Sequence, residues 1–151
     1  MRETVLREFF EGKATAMELA RDVAGSTTQP SELVSVVSIE DMDYEFTVTG
    51  NMAICLCDKV LSGELPPDAL KTIGFALMAS DRFSWDADND EVLANIIADW
   101  SCPEVNYPLT LENVERCREW LRRTEPYPAK PALTNNGGKI ISVTEKKPTR
   151  L

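Results

Sequence analysis

Histidine is the most informative absence from this sequence, because none of the 151 residues is a histidine. The imidazole group is the usual proton shuttle near neutral pH and the commonest metal ligand among side chains. Its absence excludes Ser-His-Asp catalysis, Cys-His catalysis and histidine-ligated zinc. An enzyme built from this chain would need another chemistry, such as a pair of carboxylates.

Glycine and cysteine are also scarce, with seven and four copies in the chain. The glycines are scattered, and the pair before Lys139 lacks the spacing of a phosphate-binding loop. Cys55 and Cys57 lie two apart on a predicted helix, so their side chains point about 200° apart and cannot grip one ion. We therefore predict no metal and no cofactor, and we expect all four cysteines to be reduced packing residues.

Long apolar runs are missing as well. No window approaches the roughly 20 apolar residues that a membrane-spanning helix needs. The opening residues, MRETVLREFFEGK, lack the uninterrupted apolar core of a secretory signal. These observations predict a cytoplasmic protein that does not bind membranes.

Basic residues are few relative to acidic ones. The chain has 16 lysines and arginines against 25 aspartates and glutamates, a formal net charge of −9. Such a negative field repels phosphate backbones, which argues against nucleic acid as a partner. It favours a basic protein, because opposite potentials accelerate encounter. Acidity also serves solubility in many proteins, so the net charge by itself does not choose between these readings.

The remaining composition, 43% hydrophobic and 27% charged, is typical of a folded domain. Hydrophobic spacing predicts about six helices. Thr15 and Glu18 form the pattern of a capping box, and Thr49 and Thr110 are predicted N-caps of later helices. Near the end of the last helix, Glu119 is placed to pair with Arg123.

β-branched residues and polar–apolar alternation predict two strands, 33–39 and 42–48, joined as a hairpin. The fold class is therefore a helix-dominated α+β fold of about six helices, a small two-stranded hairpin and an extended C-terminal tail. Residues 1–124 form the predicted single domain. Residues 125–151, rich in proline, asparagine and glycine, form a tail that either docks on the domain or remains free.

Alternating aspartates before the fifth helix resemble the start of a calcium loop. Asp86, Asp88 and Asp90 occupy its first three ligand positions. Glu91 and Ile97, however, stand where that loop requires a glycine and a closing glutamate. We interpret residues 81–90 as an acidic loop that leads into a helix, whose N-terminus favours negative charge.

The strongest indication of function is a run of acidic residues followed by a tyrosine. Between residues 81 and 104, seven acidic residues accompany one arginine, and Tyr107 follows beside Pro108. A rigid aromatic among acids suits docking on a basic protein, because interface hot spots favour tyrosine, tryptophan and arginine. Trp100 and Trp120 are expected to pack between helices instead, and Tyr107 fits either role.

The same stretch resembles the second half of the small helical immunity proteins that protect bacteria from nuclease colicins and pyocins. In that family an acidic helix leads to a Tyr-Tyr-Pro turn, and a last helix ends in a Lys-Glu-Trp-Arg type of sequence. Asp90–Trp100 resembles the acidic helix, Tyr107–Pro108 the turn and Arg118–Trp120 the helix end. Asn106 stands where the family has its first tyrosine.

The resemblance implies a non-enzymatic inhibitor that binds a basic toxin domain. It implies that the partner is recognised by residues before and along the fifth helix, with a tyrosine anchor after it: Asp86, Asp88, Asp90, Glu91, Asn95, Asp99 and Tyr107. Helical periodicity places Glu91, Asn95 and Asp99 on the outward face of that helix.

Two other functions stay open at this point. The first is a structural or assembly subunit, either monomeric or a homodimer joined through the hairpin edge or the tail. The second is a histidine-free enzyme that uses a carboxylate pair, which would require two carboxyl groups in a pocket with opposed pKa shifts.

Overall fold

The computed structural model describes residues 1–31 and 34–128. The helices of these residues are α1 (Glu3–Phe10), α2 (Ala16–Val23), α3 (Gly50–Leu61), α4 (Ala69–Ala79), α5 (Glu91–Ser101) and α6 (Leu111–Leu121). The strands are β1 (Thr27–Ser31), β2 (Val34–Val37), β3 (Phe46–Thr47) and β4 (Phe83–Ser84). The predicted helix-dominated α+β class is confirmed. None of the described helices has both the length and the apolarity to cross a bilayer.

The predicted helix starts are present in the structure. The Thr15 hydroxyl accepts a hydrogen bond from the Glu18 amide, and the Glu18 carboxylate accepts one from the Thr15 amide. Thr49 and Thr110 each accept a hydrogen bond from the amide three residues ahead. These bonds satisfy amides that a helix leaves without an internal partner, and each is typically worth about 1 kcal/mol.

The centre of the core is the contact between α4 and α5. Leu70, Ile73 and Leu77 of α4 are buried. A Cβ atom added to Gly74 would lie 2.8 Å from the Ser101 nitrogen and 2.9 Å from the Trp100 Cβ. Gly74 therefore allows the two helix backbones to approach closely. Around this pair, α3 packs on α6 and α1 packs on α2.

The hairpin is built from a different pair of strands from the predicted pair. β1 pairs with β2 in an antiparallel sense, with an irregular register between Thr28 and Ser31. β3 pairs instead with β4, in parallel, through the pairs Phe46–Phe83 and Thr47–Ser84. The predicted pairing of 33–39 with 42–48 is wrong. The partner of β3 lies beyond α3 and α4, and local alternation carries no information about such a distant partner.

Aromatic packing explains why β3 and β4 meet. The Phe46 ring lies 6.0 Å from the Phe83 ring, and 6.0 Å from the Phe10 ring of α1, measured between centroids. In the same stretch, Met42 and Val48 are buried, whereas Tyr44 is exposed, with the Arg7 guanidinium 5.2 Å from its ring centroid. The cluster joins α1 to the two short strands.

The cysteines divide into two groups. All four are free, with Cys57 and Cys117 buried and Cys55 and Cys102 exposed. The packing role is confirmed for the buried pair and wrong for the exposed pair. Burial raises the pKa of Cys57 and raises that of Cys117 to about 12. Both buried thiols therefore stay protonated and unreactive near neutral pH.

Candidate protein-binding surfaces

The structure divides the seven predicted partner-binding residues by their environment. The exposed group, at the start of α5, is Asp86, Asp88 and Glu91; the half-buried group is Asp90, Asn95 and Tyr107; Asp99 is buried. Of the three residues predicted to face outward on α5, Glu91 is exposed, Asn95 is half-buried and Asp99 is buried.

The exposed group is a patch of carboxylates, and we call Asp86, Asp88 and Glu91 the acidic patch. Asp86 accepts hydrogen bonds from the Asn89 amide at 3.2 Å and the Asn89 side chain at 2.7 Å, which lower its pKa. Among residues 1–31 and 34–128, no lysine or arginine forms an ion pair with any of the three. The patch therefore presents negative charge that no described basic side chain neutralises.

Asp90 has a structural role. Its Oδ1 atom accepts hydrogen bonds from the Leu93 amide at 3.0 Å and from the Arg123 guanidinium at 2.7 Å. Its Oδ2 atom would lie 3.4 Å from a Cβ atom on Gly50, the first residue of α3. Asp90 thus caps α5 and joins its start to the end of α6, beside the beginning of α3.

The prediction that Asp99 faces outward from α5 is wrong, because Asp99 is only 1% exposed. The Tyr127 hydroxyl donates a 2.6 Å hydrogen bond to its Oδ2 atom. Arg123 therefore binds at the start of α5, through Asp90, and Tyr127 binds near its end, through Asp99. Both bonds come from the chain that follows α6, and one of them reaches a position that a helical wheel places in solvent.

Tyr107 combines the two roles that the sequence left open. It is half-buried, and its ring centroid lies 5.3 Å from that of Trp120. Tyr127 meets Trp120 at 5.1 Å, edge to face. Burial, with a smaller effect of the nearby Asp99 charge, raises the pKa of Tyr107. The packing role predicted for Trp100 and Trp120 is confirmed, since they are 1% and 6% exposed.

A second surface, which the sequence did not predict, lies beside the same turn. It is a groove of about 670 Å³ between α4, the 101–109 turn and the end of β2. Val37, Phe75, Pro103, Pro108 and Leu109 supply apolar groups to it. These residues come from three separate parts of the chain, so no local sequence pattern could reveal the groove.

Charged groups surround this groove. Lys71 of α4 forms an ion pair with Glu104 of the following turn, and this bond lowers the pKa of Glu104. Asp68, at the start of α4, is exposed. A general acid requires a raised carboxyl pKa, and the effect of Lys71 on the pKa of Glu104 is in the opposite direction.

Phe75 gives the groove exposed apolar surface, since its side chain is 43% exposed. Val105, within the 101–109 turn, and Leu111, which follows it on the sequence, are exposed as well. Exposed apolar surface in a concave groove is a feature of many binding sites.

Neither metal-ligand groups nor known relatives assign a role to these surfaces. In the described part of the chain, no three potential ligand side chains are grouped so that they could hold a metal ion. Comparison with models of protein families, with curated proteins and with solved structures gave no match in any of the three. The resemblance of residues 90–120 to nuclease immunity proteins stays a prediction.

Proposed function

We propose that this protein is a non-enzymatic inhibitor that binds a basic protein domain, in the manner of a nuclease immunity protein. The observation that carries the proposal is the acidic patch of Asp86, Asp88 and Glu91, which no described basic side chain neutralises. A carboxylate that forms no ion pair within the protein does not have to break one when it binds a cation of the partner. Charge complementarity of this kind increases association rates and selects against wrong partners.

Tyr107 supplies the aromatic contact in this proposal. It lies just after α5, whose 11 residues extend about 16 Å, so patch and tyrosine stand near opposite ends of one helix. A standard interface covers about 800 Å² on each partner, enough to include both ends. The acidic patch would steer the partner, and the half-exposed phenol would provide a hot spot.

The proposal is tested by calorimetric titration against the purified catalytic domain of a basic nuclease toxin. We expect Asp88→Asn with Glu91→Gln to weaken binding at least tenfold at 50 mM salt, with less effect at 300 mM because salt screens the attraction. The control, Asp41→Asn with Asp43→Asn, removes two equally exposed charges elsewhere. If both double variants lose the same amount of affinity, the change in net charge alone accounts for the effect. That result would contradict a defined binding patch.

Tyr107→Ala tests the anchor separately. We expect the dissociation constant to rise at least tenfold while circular dichroism still shows a folded helical protein. The loss of the contact with Trp120 will lower the melting temperature, so binding is measured well below it. Unchanged affinity would remove Tyr107 from the interface.

Self-association is a second candidate function, favoured by the shape of the hairpin. Within the described residues, β1 and β2 form a sheet of only two strands, so each has an outer edge available for pairing. Light scattering across a hundredfold range of concentration tests it. A constant monomer mass would exclude a homodimer.

A further inference from the structure

The groove between α4 and the 101–109 turn exposes apolar surface that a ligand would bury. Phe75, one of the residues that line it, is 43% exposed although its helix neighbours Gly74 and Ala76 are buried. Burial of apolar surface contributes about 25 cal/mol per Å². A ligand that covers even part of the Phe75 ring therefore gains binding free energy. The volume of about 670 Å³ accommodates a few side chains.

We propose that this groove binds the C-terminal segment of the same chain through residues 139–143 (KIISV). This segment contains Ile140, Ile141 and Val143, the most apolar run after Pro128. Its aliphatic side chains match the apolar groups of the groove. Lys139, immediately before them, is complementary in charge to the exposed carboxylate of Asp68 at the groove.

Charge separation along the chain supports this occupant. Residues 129–151 contain five basic residues and one acidic residue, a net charge of +4, which leaves −13 for residues 1–128. A segment of opposite charge is attracted to the domain as a whole. The apolar run then selects a place on the domain where aliphatic groups can be buried.

The length of the chain is sufficient for the segment to reach the groove. Tyr127 is bound to Asp99 near the end of α5, on a different side of that helix from Ser101, which lines the groove. Eleven residues separate Pro128 from Ile140, and they can span up to about 36 Å. A tether of this length holds the segment at an effective concentration of roughly millimolar, so a weak intrinsic affinity is sufficient.

The test uses the full chain and a fluorescently labelled peptide of residues 137–151. In the variant Ile140→Asp with Ile141→Asp, the segment should no longer fill the groove, and the peptide should bind. The wild-type chain should bind the peptide at least tenfold more weakly, because its own segment competes. Adding Phe75→Ser to the variant should abolish binding, whereas adding Tyr44→Ser, at an exposed aromatic far from the groove on the sequence, should not.

Several outcomes would overturn the proposal. These are no peptide binding to the variant, equal binding to the wild type, or equal binding of a peptide with the same composition in scrambled order. A wild-type dimer that the variant fails to form would assign the segment to a second copy instead. Proton NMR of the wild type gives an independent measure, since contacts between the Ile140 or Ile141 methyl groups and the Phe75 ring must be observed. This inference does not depend on the acidic patch or on a toxin partner.

Discussion

At the scale of single residues, two helix glycines should respond to the same substitution in opposite directions. Gly74 faces the α5 backbone, with 2.8 Å between an added Cβ and the Ser101 nitrogen. Gly50, in the first turn of α3, has only the Asp90 Oδ2 atom nearby, at 3.4 Å. Neither residue has a positive φ angle, so the space around each decides the outcome.

We expect Gly74→Ala to lower the free energy of unfolding by about 1–3 kcal/mol, because the methyl group must push α4 away from α5. We expect Gly50→Ala to raise it by about 0.4–1 kcal/mol, because alanine restricts the unfolded chain. Urea denaturation measures both. A stabilised Gly74→Ala variant would contradict the close approach of the two helices.

The residue scale also shows where sequence reasoning succeeds and fails. The threonine caps at Thr15, Thr49 and Thr110 depend on bonds within three residues, so the local sequence was enough to predict them. Asp99 fits the solvent face of α5 by periodicity, yet it is buried and bonded to Tyr127, 28 positions away. Periodicity describes a helix but not what later lies across it.

At the scale of elements, the end of α6 combines a strained backbone with an ion pair. Arg123 has a φ angle of 62°, in the left-handed region that favours glycine. Its guanidinium binds Asp90 at the start of α5. The predicted partner, Glu119, instead lies within ion-pair distance of Arg118 and Arg122. The predicted Glu119–Arg123 pair is therefore wrong, because the chain turns at Arg123.

Two substitutions at Arg123 separate backbone from charge. Arg123→Ala loses the ion pair and keeps the unfavourable φ angle, so we expect it to destabilise by up to about 1 kcal/mol. Arg123→Gly loses the same ion pair but relieves the backbone, so we expect it to be more stable than Arg123→Ala by about 1 kcal/mol. Thermal unfolding of both variants tests this. Equal stabilities would show that the left-handed conformation costs nothing here.

Helices, whose bonds join residues close in sequence, were predictable, whereas strands with distant partners were not. All six helices follow from hydrophobic spacing and caps, whereas the parallel pairing of Phe46 with Phe83 joins strands separated by α3 and α4. The segment 81–90 was interpreted as a loop, yet it contains β4 and the buried Trp85. Short strands with distant partners leave little trace in a single sequence.

At the scale of the whole molecule, stability should decline in alkaline solution. Burial raises the pKa of Cys117 from 9.0 to about 12, and burial together with the Asp99 bond raises the pKa of Tyr127. The unfolded chain ionises these groups first, so their full stabilising effect is present below pH 9 and is lost as pH rises. For Cys117 the loss extends from about pH 9 to about pH 12.

We expect urea denaturation to give a lower free energy of unfolding at pH 10.5 than at pH 8. The decline should be smaller in Cys117→Ala and in Tyr127→Phe, because each removes one group that the fold keeps protonated. Cys102→Ala is the control, since it removes an exposed thiol. An equal decline in wild type and both variants would show that other groups cause the alkaline loss.

The candidate site was predictable only in part at this scale. Charge counting located the acids around α5, and the structure leaves Asp86, Asp88 and Glu91 of that set fully exposed. The groove lined by Phe75 and Leu109 depends on how α4, the 101–109 turn and β2 come together, which composition cannot express.

The position of Trp120 gives this protein a built-in optical reporter. All three tryptophans are buried, but Trp120 is the one whose indole lies between two phenol rings, and one of those rings belongs to Tyr127. Replacement of Trp85 and Trp100 by phenylalanine would leave a single emitter. Its spectrum would shift to longer wavelength when Tyr127 leaves Asp99, so detachment of the chain beyond α6 could be followed in stopped-flow experiments without any attached dye.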